Sequence, residues 1–177
     1  MDQLRSVIIL PQIGNRNCPK FEMDDGEMVL ELVSDEDKLE SCLNELWAQR
    51  NKKIIVFDLL WKPGGISCKG RGFIPEIVQL VLGTEYNFFF VESKFLSYAI
   101  LKNFLALKDA TFVGIHIAKD LAKLENDYGI VFRNAVDISE HAAYVLRRPS
   151  LRVCGVSELA SEVGNLELKE KPAICSK

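Results

Sequence analysis

The order of short apolar strands and amphipathic helices is the feature of this sequence that most constrains its fold. Alternation of apolar residues over 27–33, and short apolar runs elsewhere, predict strands over 27–33, 54–58, 72–83, 86–93, 110–115 and 134–138. Helical spacing predicts a helix beginning after Ser34 and further helices over 97–108, 118–129, 139–146 and 155–163. Only residues 83–85 separate two of the strands, which indicates an antiparallel hairpin and excludes a plain Rossmann sheet. The order therefore predicts an α/β domain with a mixed sheet of five or six strands flanked by helices.

The first helix carries the clearest local signals. Ser34 stands where an N-cap is favoured, and three acids follow it in the first turn, where the helix dipole favours negative charge. The apolar residues that follow recur at helical spacing and predict one buried stripe: Leu39, Cys42, Leu43, Leu46 and Trp47.

The bulk composition is that of one globular domain. The chain has 177 residues and a net charge of -3, so any grip on nucleic acid would require a local basic patch. Its five cysteines are widely spaced without a CxxC pair, which argues against zinc and disulfides and indicates reduced thiols in the nucleus or cytoplasm. Residues 1–25 lack periodicity and are expected to form a loosely ordered arm, with the domain over 26–177.

Three acids are candidates for metal chemistry. Asp58 ends a buried strand, Asp120 opens a helix directly after a strand, and Asp137 sits in a short strand. Two divalent cations about 3.5–4 Å apart can drive phosphodiester cleavage, and such a pair requires several carboxylates. The alternative is structural: Asp58 and Asp120 as capping acids, and Asp137 as a structural residue. His116 and His141 have no evident partner and are expected to play no special role.

Basic and aromatic residues in two loops are candidates for nucleic-acid contact. The first loop, over 62–71, follows Trp61, whose ring could stack on a base, and the second covers 146–152. The candidates are Trp61, Lys62, Lys69, Arg71, Arg147 and Arg148. The competing interpretation is that the loops are simply solvated and that Trp61 belongs to the core.

Two longer motifs and several shorter ones lie along the chain. The longer ones are "VFDLLW" (56–61) and "VGIHIAKDLAKL" (113–124), and the shorter ones are "IPEIVQL" (74–80), "DYG" (127–129), "VDI" (136–138) and "CGVSELASEVGNLELK" (154–169). Together they resemble the Werner-syndrome-type 3′–5′ exonuclease domain of the DEDD (DnaQ-like, ribonuclease H-like) superfamily, and its small plant members above all, with the two longer motifs matching the family's first and second motifs. The resemblance covers residues 27–172 and implies a ribonuclease H-like sheet.

The resemblance also implies that the catalytic machinery is degenerate. In the family, an Asp and a Glu of the first motif and Asp residues of the second and third motifs hold the metals, and a third-motif Tyr orients the water. Asp58 and Asp120 match, but Leu60 occupies the Glu position, and no YxxxD motif follows "LELKEKP". We therefore expect no competent catalytic residues, no cofactor, and loss of the helix that carries the third motif. Mg²⁺ or Mn²⁺ would bind only in the case of residual activity.

Three functional hypotheses follow. The first is an inactive pseudoenzyme that acts as a regulatory module, with a protein partner or homodimer covering the missing helix, and with nucleic acid a further possible ligand but no membrane. The second is a weak metal-dependent 3′–5′ exonuclease on DNA or RNA, in which Glu76, Glu92 or a partner chain supplies a carboxylate beside Asp58 and Asp120. The third is an oligomeric scaffold without affinity for nucleic acid.

Overall fold

The computed structural model describes residues 20–23, 26–48, 54–62, 76–84 and 87–165. In this part of the chain seven strands form one sheet: β1 (Lys20–Met23), β2 (Gly26–Val33), β3 (Ile54–Lys62), β4 (Glu76–Gly83), β5 (Asn87–Glu92), β6 (Thr111–Gly114) and β7 (Ala135–Asp137). The α-helices there are α1 (Glu36–Ala48), α2 (Ala99–Leu105), α3 (Ala118–Tyr128), α4 (Ile138–Val145) and α5 (Val156–Gly164). Short 3₁₀ helices cover Ser93–Ser97 and Pro149–Val153. None of these helices has the length and apolar character that a membrane span requires.

The sheet is mixed, with the strand order β1-β2-β5-β4-β3-β6-β7. β4 runs antiparallel to both of its neighbours, β3 and β5, whereas β3, β6 and β7 are parallel to one another. The predicted hairpin is the β4–β5 pair, in which Gly83 lies opposite Phe88. The predicted ribonuclease H-like α/β class is therefore confirmed.

The sheet contains one strand more than the five or six predicted. Residues 20–23 belong to the predicted arm, yet as β1 they pair antiparallel with β2, with Lys20 opposite Val29 and Met23 opposite Gly26. Lys20–Met23 does alternate between polar and apolar residues, but the run is only four residues long, and sequence reasoning missed it. Backbone hydrogen bonds to the edge of β2 complete the strand. Residues 1–19 lie outside the described part of the chain.

One face of the sheet carries the main core. Alternate residues of three adjacent strands point to this face, and Phe57, Leu82 and Phe89 stand in one row across it, all buried. Helices α1, α2 and α3 contribute their apolar stripes to the same core, with Leu105 and Leu124 completely buried. Hydrophobic contacts on this face hold the helices against the sheet.

Helix α1 starts one residue later than predicted. Its N-cap is Asp35, whose Oδ1 accepts a hydrogen bond of 2.8 Å from the amide of Lys38, while the hydroxyl of Ser34 donates to Asp35 Oδ2 at 2.7 Å. The carboxylate takes the capping position because it satisfies a free amide at the positive end of the helix. The predicted stripe is buried except for Trp47, which lies in the last turn and is 38% exposed.

The opposite face of the sheet carries a smaller apolar cluster. It consists of the buried Leu30, Val81 and Phe90, with Leu32, Leu60 and Phe88 packed around them. We call it the small cluster. Asp58 lies opposite Val81 in register, and paired residues of antiparallel strands place their side chains on the same face. The carboxylate of β3 therefore shares its face of the sheet with an apolar surface.

Helices α4 and α5 bury only part of their apolar surface. A third cluster joins them to the 3₁₀ helix between them: Ala142, Ala143, Leu151, Cys154 and Leu159. The predicted stripe of α5 is incomplete, because Leu159 is 3% exposed whereas Val156 and Val163 are 56% and 50% exposed. Tyr144 of α4 is 80% exposed as well. Exposed apolar side chains therefore lie on both helices.

Candidate functional site

Asp58 lies in the middle of β3 rather than at its end as predicted. β3 pairs with β6 only from Ile54 to Val56, but it stays paired with β4 as far as Lys62. Asp58 therefore stands just past the carboxyl end of the parallel part of the sheet, which is where sites gather in α/β folds. The sequence-based prediction ended the strand at the aspartate because it could not identify β4 as the partner strand. Pairing with β4 extends β3 to Lys62.

A glycine brings the second carboxylate close to the first. Gly114 ends β6, and a Cβ atom at this position would lie 2.8 Å from the carbonyl oxygen of Phe57 and 2.5 Å from Cγ2 of Ile117. Only glycine permits so close an approach of β6 and its following turn to β3. The turn leads directly into α3, whose first turn contains Asp120. Asp120 is thereby placed beside Asp58, as the resemblance predicts.

Asp58 and Asp120 are close enough for their charges to interact. Burial and, next, the negative charge of Asp58 raise the pKa of Asp120 to about 6, against a hydrogen bond from Trp61 that lowers it. Burial also raises the pKa of Asp58, although an oxygen of its carboxylate accepts a 2.8 Å hydrogen bond from the amide of Leu59. Two acids that repel each other in this way gain from a shared proton or a cation.

Trp61 lies beside Asp120 instead of joining the core. Its indole N–H is the donor to Asp120, and 37% of the residue is exposed. The ammonium of Lys123 lies 5.8 Å from the Trp61 ring centroid and also forms an ion pair with Asp127. A register shift in the β3–β4 pairing falls between Leu60 and Trp61. Sequence reasoning missed this contact because the irregularity alters how side chains leave the strand.

Leu60 stands where the family pattern requires a glutamate. It packs against the small cluster and lies opposite Gln79 of β4. An aliphatic side chain offers no ligand atom to a cation. Position 60 is thus part of an apolar surface.

Of the carboxylates proposed as replacements, Glu92 is not brought to this position. Glu92 lies opposite Gln79, two strands away from Leu60, which corresponds to about 10 Å between the two backbones. Its carboxylate also forms a 2.8 Å ion pair with Lys94. The side chain of Glu76 lies outside the described structure. Across the described residues, no group of three or more His, Cys, Asp or Glu side chains could hold a metal ion.

Asp137 has a structural role, as its alternative interpretation holds. It is the N-cap of α4, where Oδ1 accepts from the amides of Ser139 at 3.0 Å and Glu140 at 3.4 Å. Its Oδ2 accepts from the amide of Ile117 at 3.0 Å, in the turn before α3. Burial raises the pKa of Asp137, but hydrogen bonds, that of the Ser139 hydroxyl first among them, outweigh it and leave the pKa lowered. The spacing of Asp137 and Glu140, typical of a capping box, is the sequence signal for this cap.

Neither histidine joins the carboxylates. His116 and His141 are both exposed. His116 adopts a left-handed backbone with φ of 57°, and its amide donates to Asp137. The prediction that the two histidines have no special role stays untested. The left-handed backbone of His116 forms part of the turn between β6 and α3.

The residues present do not fit the two-metal site that the family pattern implies. Asp58 and Asp120 can offer ligand oxygens to a single divalent cation, but each also has an oxygen engaged by a protein N–H. Offsetting roughly four positive charges requires more carboxylates than this pair provides. No reaction step is therefore assigned to a metal pair here.

Of the candidate nucleic-acid contacts, three are described only in part or not at all. Lys69 and Arg71 lie outside the described residues, as does the side chain of Lys62. Arg147 and Arg148 follow the end of α4 and are both exposed. Arg147 has a left-handed backbone with φ of 54°, and Arg148 forms an ion pair with Glu162 of α5.

The fold and the carboxylate pair define a ribonuclease H-like domain of the exonuclease class with an incomplete set of acids. Comparison with protein families supports this class, since the model of the 3′–5′ exonuclease family matches residues 30–177. The chain belongs to this family of 3′–5′ exonuclease domains, and the predicted DEDD resemblance is confirmed.

Individual relatives agree with the family. The chain is 30% identical over 126 residues to the protein RISC-INTERACTING CLEARING 3′-5′ EXORIBONUCLEASE 1 of Arabidopsis thaliana, a match that covers 70% of this chain and 62% of that protein. The catalytic core of RRP6 from Trypanosoma brucei superposes with a TM-score of 0.61 at 18% identity, over 83% of this chain and 38% of that one. RNase D from Escherichia coli gives a TM-score of 0.60 at 16% identity, over 78% and 34%. The chain thus spans less than two thirds of the length of these relatives.

Proposed function

We propose that this chain is a catalytically silent 3′–5′ exonuclease-like domain that acts as a binding and regulatory module. The observation that carries the proposal is the environment of Leu60. At the position of the family glutamate this side chain packs against the small cluster, beside only two convergent carboxylates. Removing a single preorganised group from an active site commonly costs ~10²–10³ in rate. The loss of a metal ligand is expected to cost at least as much.

The exposed apolar side chains of α4 and α5 favour a protein as the binding partner. Val156, Val163 and Tyr144 are each at least half exposed on α4 and α5. Exposed apolar surface of this kind commonly marks an interface. A second copy of the chain is the simplest partner, and a paralogue with intact acids is another. Nucleic acid is the further candidate, through Trp61 and the exposed Arg147 and Arg148, in the nucleus or cytoplasm.

A weak metal-dependent exonuclease is the second candidate function. It is favoured by the coupling of Asp58 and Asp120, because a pair of acids that raises its own pKa gains when a cation binds. RNA would be the first substrate to try, since the Arabidopsis relative is named as an exoribonuclease. This function still requires a carboxylate from a partner chain or from residues such as Glu76.

A nuclease assay separates the two candidates. Labelled single-stranded RNA, single-stranded DNA and a duplex with a recessed 3′ end are incubated with the chain in Mg²⁺ or in Mn²⁺. The matched control is the Asp58→Ala/Asp120→Ala double variant. The proposal predicts the same absence of 3′ shortening for both proteins. Metal-dependent shortening that the double variant lacks would establish the enzyme and overturn the silent domain.

Binding is measured on the same samples. Gel shifts in EDTA report metal-independent affinity for nucleic acid, and low salt gives phosphate contacts their greatest strength. Light scattering during size-exclusion chromatography reports the mass of the particle. A particle of more than one chain that falls apart in Val156→Ser/Val163→Ser would support the homodimer. A monomer with a shifted band would instead favour the nucleic-acid binder.

A further inference from the structure

A serine preceded by two arginines lies in the segment after α4. The sequence there reads Arg147, Arg148, Pro149, Ser150 and Leu151, with the arginines three and two residues before the serine. Protein kinases select substrates partly by patterns of charge, and a kinase with an acidic cleft reads arginines at these positions through charge-assisted hydrogen bonds. We propose that Ser150 is a phosphorylation site for a kinase of this arginine-directed class. This inference is independent of the proposed function.

The groups that a kinase would read are on the surface. Ser150, Arg147 and Arg148 are all exposed. Arg147 ion-pairs with no other residue in the described part of the chain, and its left-handed backbone ends the helical path of α4. The side chain of Arg148 forms an ion pair with Glu162 on the surface. Exposed ion pairs contribute little free energy, so the kinase can displace Glu162 at small cost.

The burial of Leu151, the residue after the serine, means that the segment must open before a kinase can phosphorylate it. Leu151 is 1% exposed and belongs to the cluster shared by α4 and α5, so the segment must open locally to enter a kinase cleft in extended form. Two backbone hydrogen bonds of this segment are long, at 3.3 Å from Arg147 N to Tyr144 O and 3.4 Å from Cys154 N to Leu151 O, whereas those from Arg148 N to Ala143 O and from Leu151 N to Arg148 O have ordinary lengths of 3.0 and 3.1 Å. Segments with few buried contacts open at low free energy. In the 3₁₀ helix over Pro149–Val153 four of the five residues are exposed, so opening requires mainly the release of Leu151.

The chemical step is phosphoryl transfer from ATP. The Ser150 hydroxyl oxygen forms a bond to the γ-phosphorus, the bond from that phosphorus to the β–γ bridging oxygen breaks, and ADP leaves. The hydroxyl proton passes to the catalytic aspartate of the kinase. The product carries about -1.5 to -2 charges at neutral pH and three acceptor oxygens.

Three arginines lie within three residues of Ser150 along the chain: Arg147, Arg148 and Arg152. Arg148 is engaged by Glu162 of α5, and Arg152 by Glu140 of α4 at 2.9 Å. A phosphate accepts stronger hydrogen bonds from arginine than a carboxylate does, because it carries more charge and more oxygens. We therefore expect phosphoserine to draw Arg148 away from Glu162. The ion pair between Arg148 and α5 would then be lost.

The test is phosphorylation of the full chain by the catalytic subunit of cyclic-AMP-dependent protein kinase, with radiolabelled ATP and mass spectrometry to place the phosphate. The expected result is about one phosphate per chain, on Ser150, lost in Ser150→Ala. Ser161→Ala is the matched control, since Ser161 is also exposed but has Glu158 three residues before it. Arg147→Gln/Arg148→Gln should lower kcat/KM about tenfold or more, because two charge-assisted contacts are lost.

A peptide covering residues 144–156 makes the result decisive. Phosphorylation of both peptide and chain supports the proposal. A peptide that is phosphorylated while the chain is not would overturn it, because the fold would then protect Ser150. Phosphate on other residues, or on neither molecule, would overturn it as well.

The predicted exchange of ion pairs has its own readout. Amide hydrogen exchange in α5 should quicken severalfold on phosphorylation, and Glu162→Gln should quicken it similarly without phosphate, since both release Arg148. Unchanged exchange in a fully phosphorylated chain would refute the release of α5.

Discussion

The negative charge of Asp58 helps to hold a proton on Asp120. Burial and this charge together raise the pKa of Asp120 to about 6, even though Trp61 donates a hydrogen bond that opposes them. Two strands of the sheet and the first turn of α3 thus bring two like charges together. The same geometry that would serve a metal site is therefore a source of instability at neutral pH.

Replacing Asp120 by Asn should stabilise the protein at neutral pH. The folded chain binds this proton more tightly than the unfolded chain, whose aspartate has a pKa near 3.8, so the free energy of unfolding falls as pH rises from about 4 to 6. Asp120→Asn removes that loss, which we expect to raise stability at pH 7.5 by about 1 kcal/mol after allowing for solvent screening. Urea unfolding between pH 4 and pH 7.5 measures it. The control is Glu125→Gln, an exposed acid on the same helix, and an equal gain there would refute the explanation.

Restoring the missing glutamate should create a cation-dependent gain in stability. Leu60→Glu puts a carboxylate against the small cluster, and we expect a loss of ~1–3 kcal/mol without metal because the group is partly buried and unpaired. Three carboxylates bind Mn²⁺ better than two, so millimolar Mn²⁺ should recover part of this loss by mass action. Thermal unfolding with and without Mn²⁺ reports the difference.

Leu60→Gln is the matched variant for that experiment. It has nearly the same shape and polarity as the glutamate but cannot carry the charge. An equal response of Leu60→Gln and Leu60→Glu to Mn²⁺ would mean that position 60 does not face the cation.

Removing the indole donor should raise the pKa of Asp120 still further. The hydrogen bond from Trp61 favours the charged carboxylate, and Trp61→Phe keeps the ring but deletes the N–H. A carboxyl-carbon NMR titration should therefore show a midpoint above that of the wild type. Trp47→Phe is the control, because Trp47 lies on α1. A midpoint that stays put or falls in Trp61→Phe would contradict the contact.

The sequence predicted those features that a local pattern determines. Helical spacing identified the buried Leu39 and Leu43, and the short break after Gly83 identified the β4–β5 hairpin. The sequence also predicted that Leu60 is not a metal ligand, because an aliphatic side chain cannot ligate a cation wherever it lies.

Features that depend on a distant strand were not predictable in this way. β1 forms by pairing with β2, and its four alternating residues are too short a run to stand out from the rest of residues 1–25. β3 continues past Asp58 because β4 pairs with it. The contact of Trp61 with Asp120 depends on a register shift and on the placement of α3, neither of which a local pattern records.

Asp137 should be the acid whose loss destabilises the fold most. Its carboxylate accepts hydrogen bonds from the amides of Ser139 and Ile117, each at 3.0 Å, and so ties the start of α4 to the turn before α3. Asp137→Ala removes a helix cap and leaves the buried Ser139 hydroxyl and the Ile117 amide without their acceptor. We expect a loss of about 2–4 kcal/mol at pH 7, measured by urea unfolding. Asp137→Asn should lose less, because the amide oxygen can still accept.

The loss of stability in Asp137→Ala should depend on pH. The pKa of Asp137 is lowered below the ordinary 3.8, so the stabilisation by its charge is present above that value and fades as pH falls through the lower, folded pKa. The difference between wild type and Asp137→Ala should therefore shrink below about pH 4. Asp127→Ala, an exposed acid of α3 paired with Lys123, is the control and should cost under about 1 kcal/mol. Equal losses in the two variants would show that Asp137 does not bridge α4 and the turn before α3.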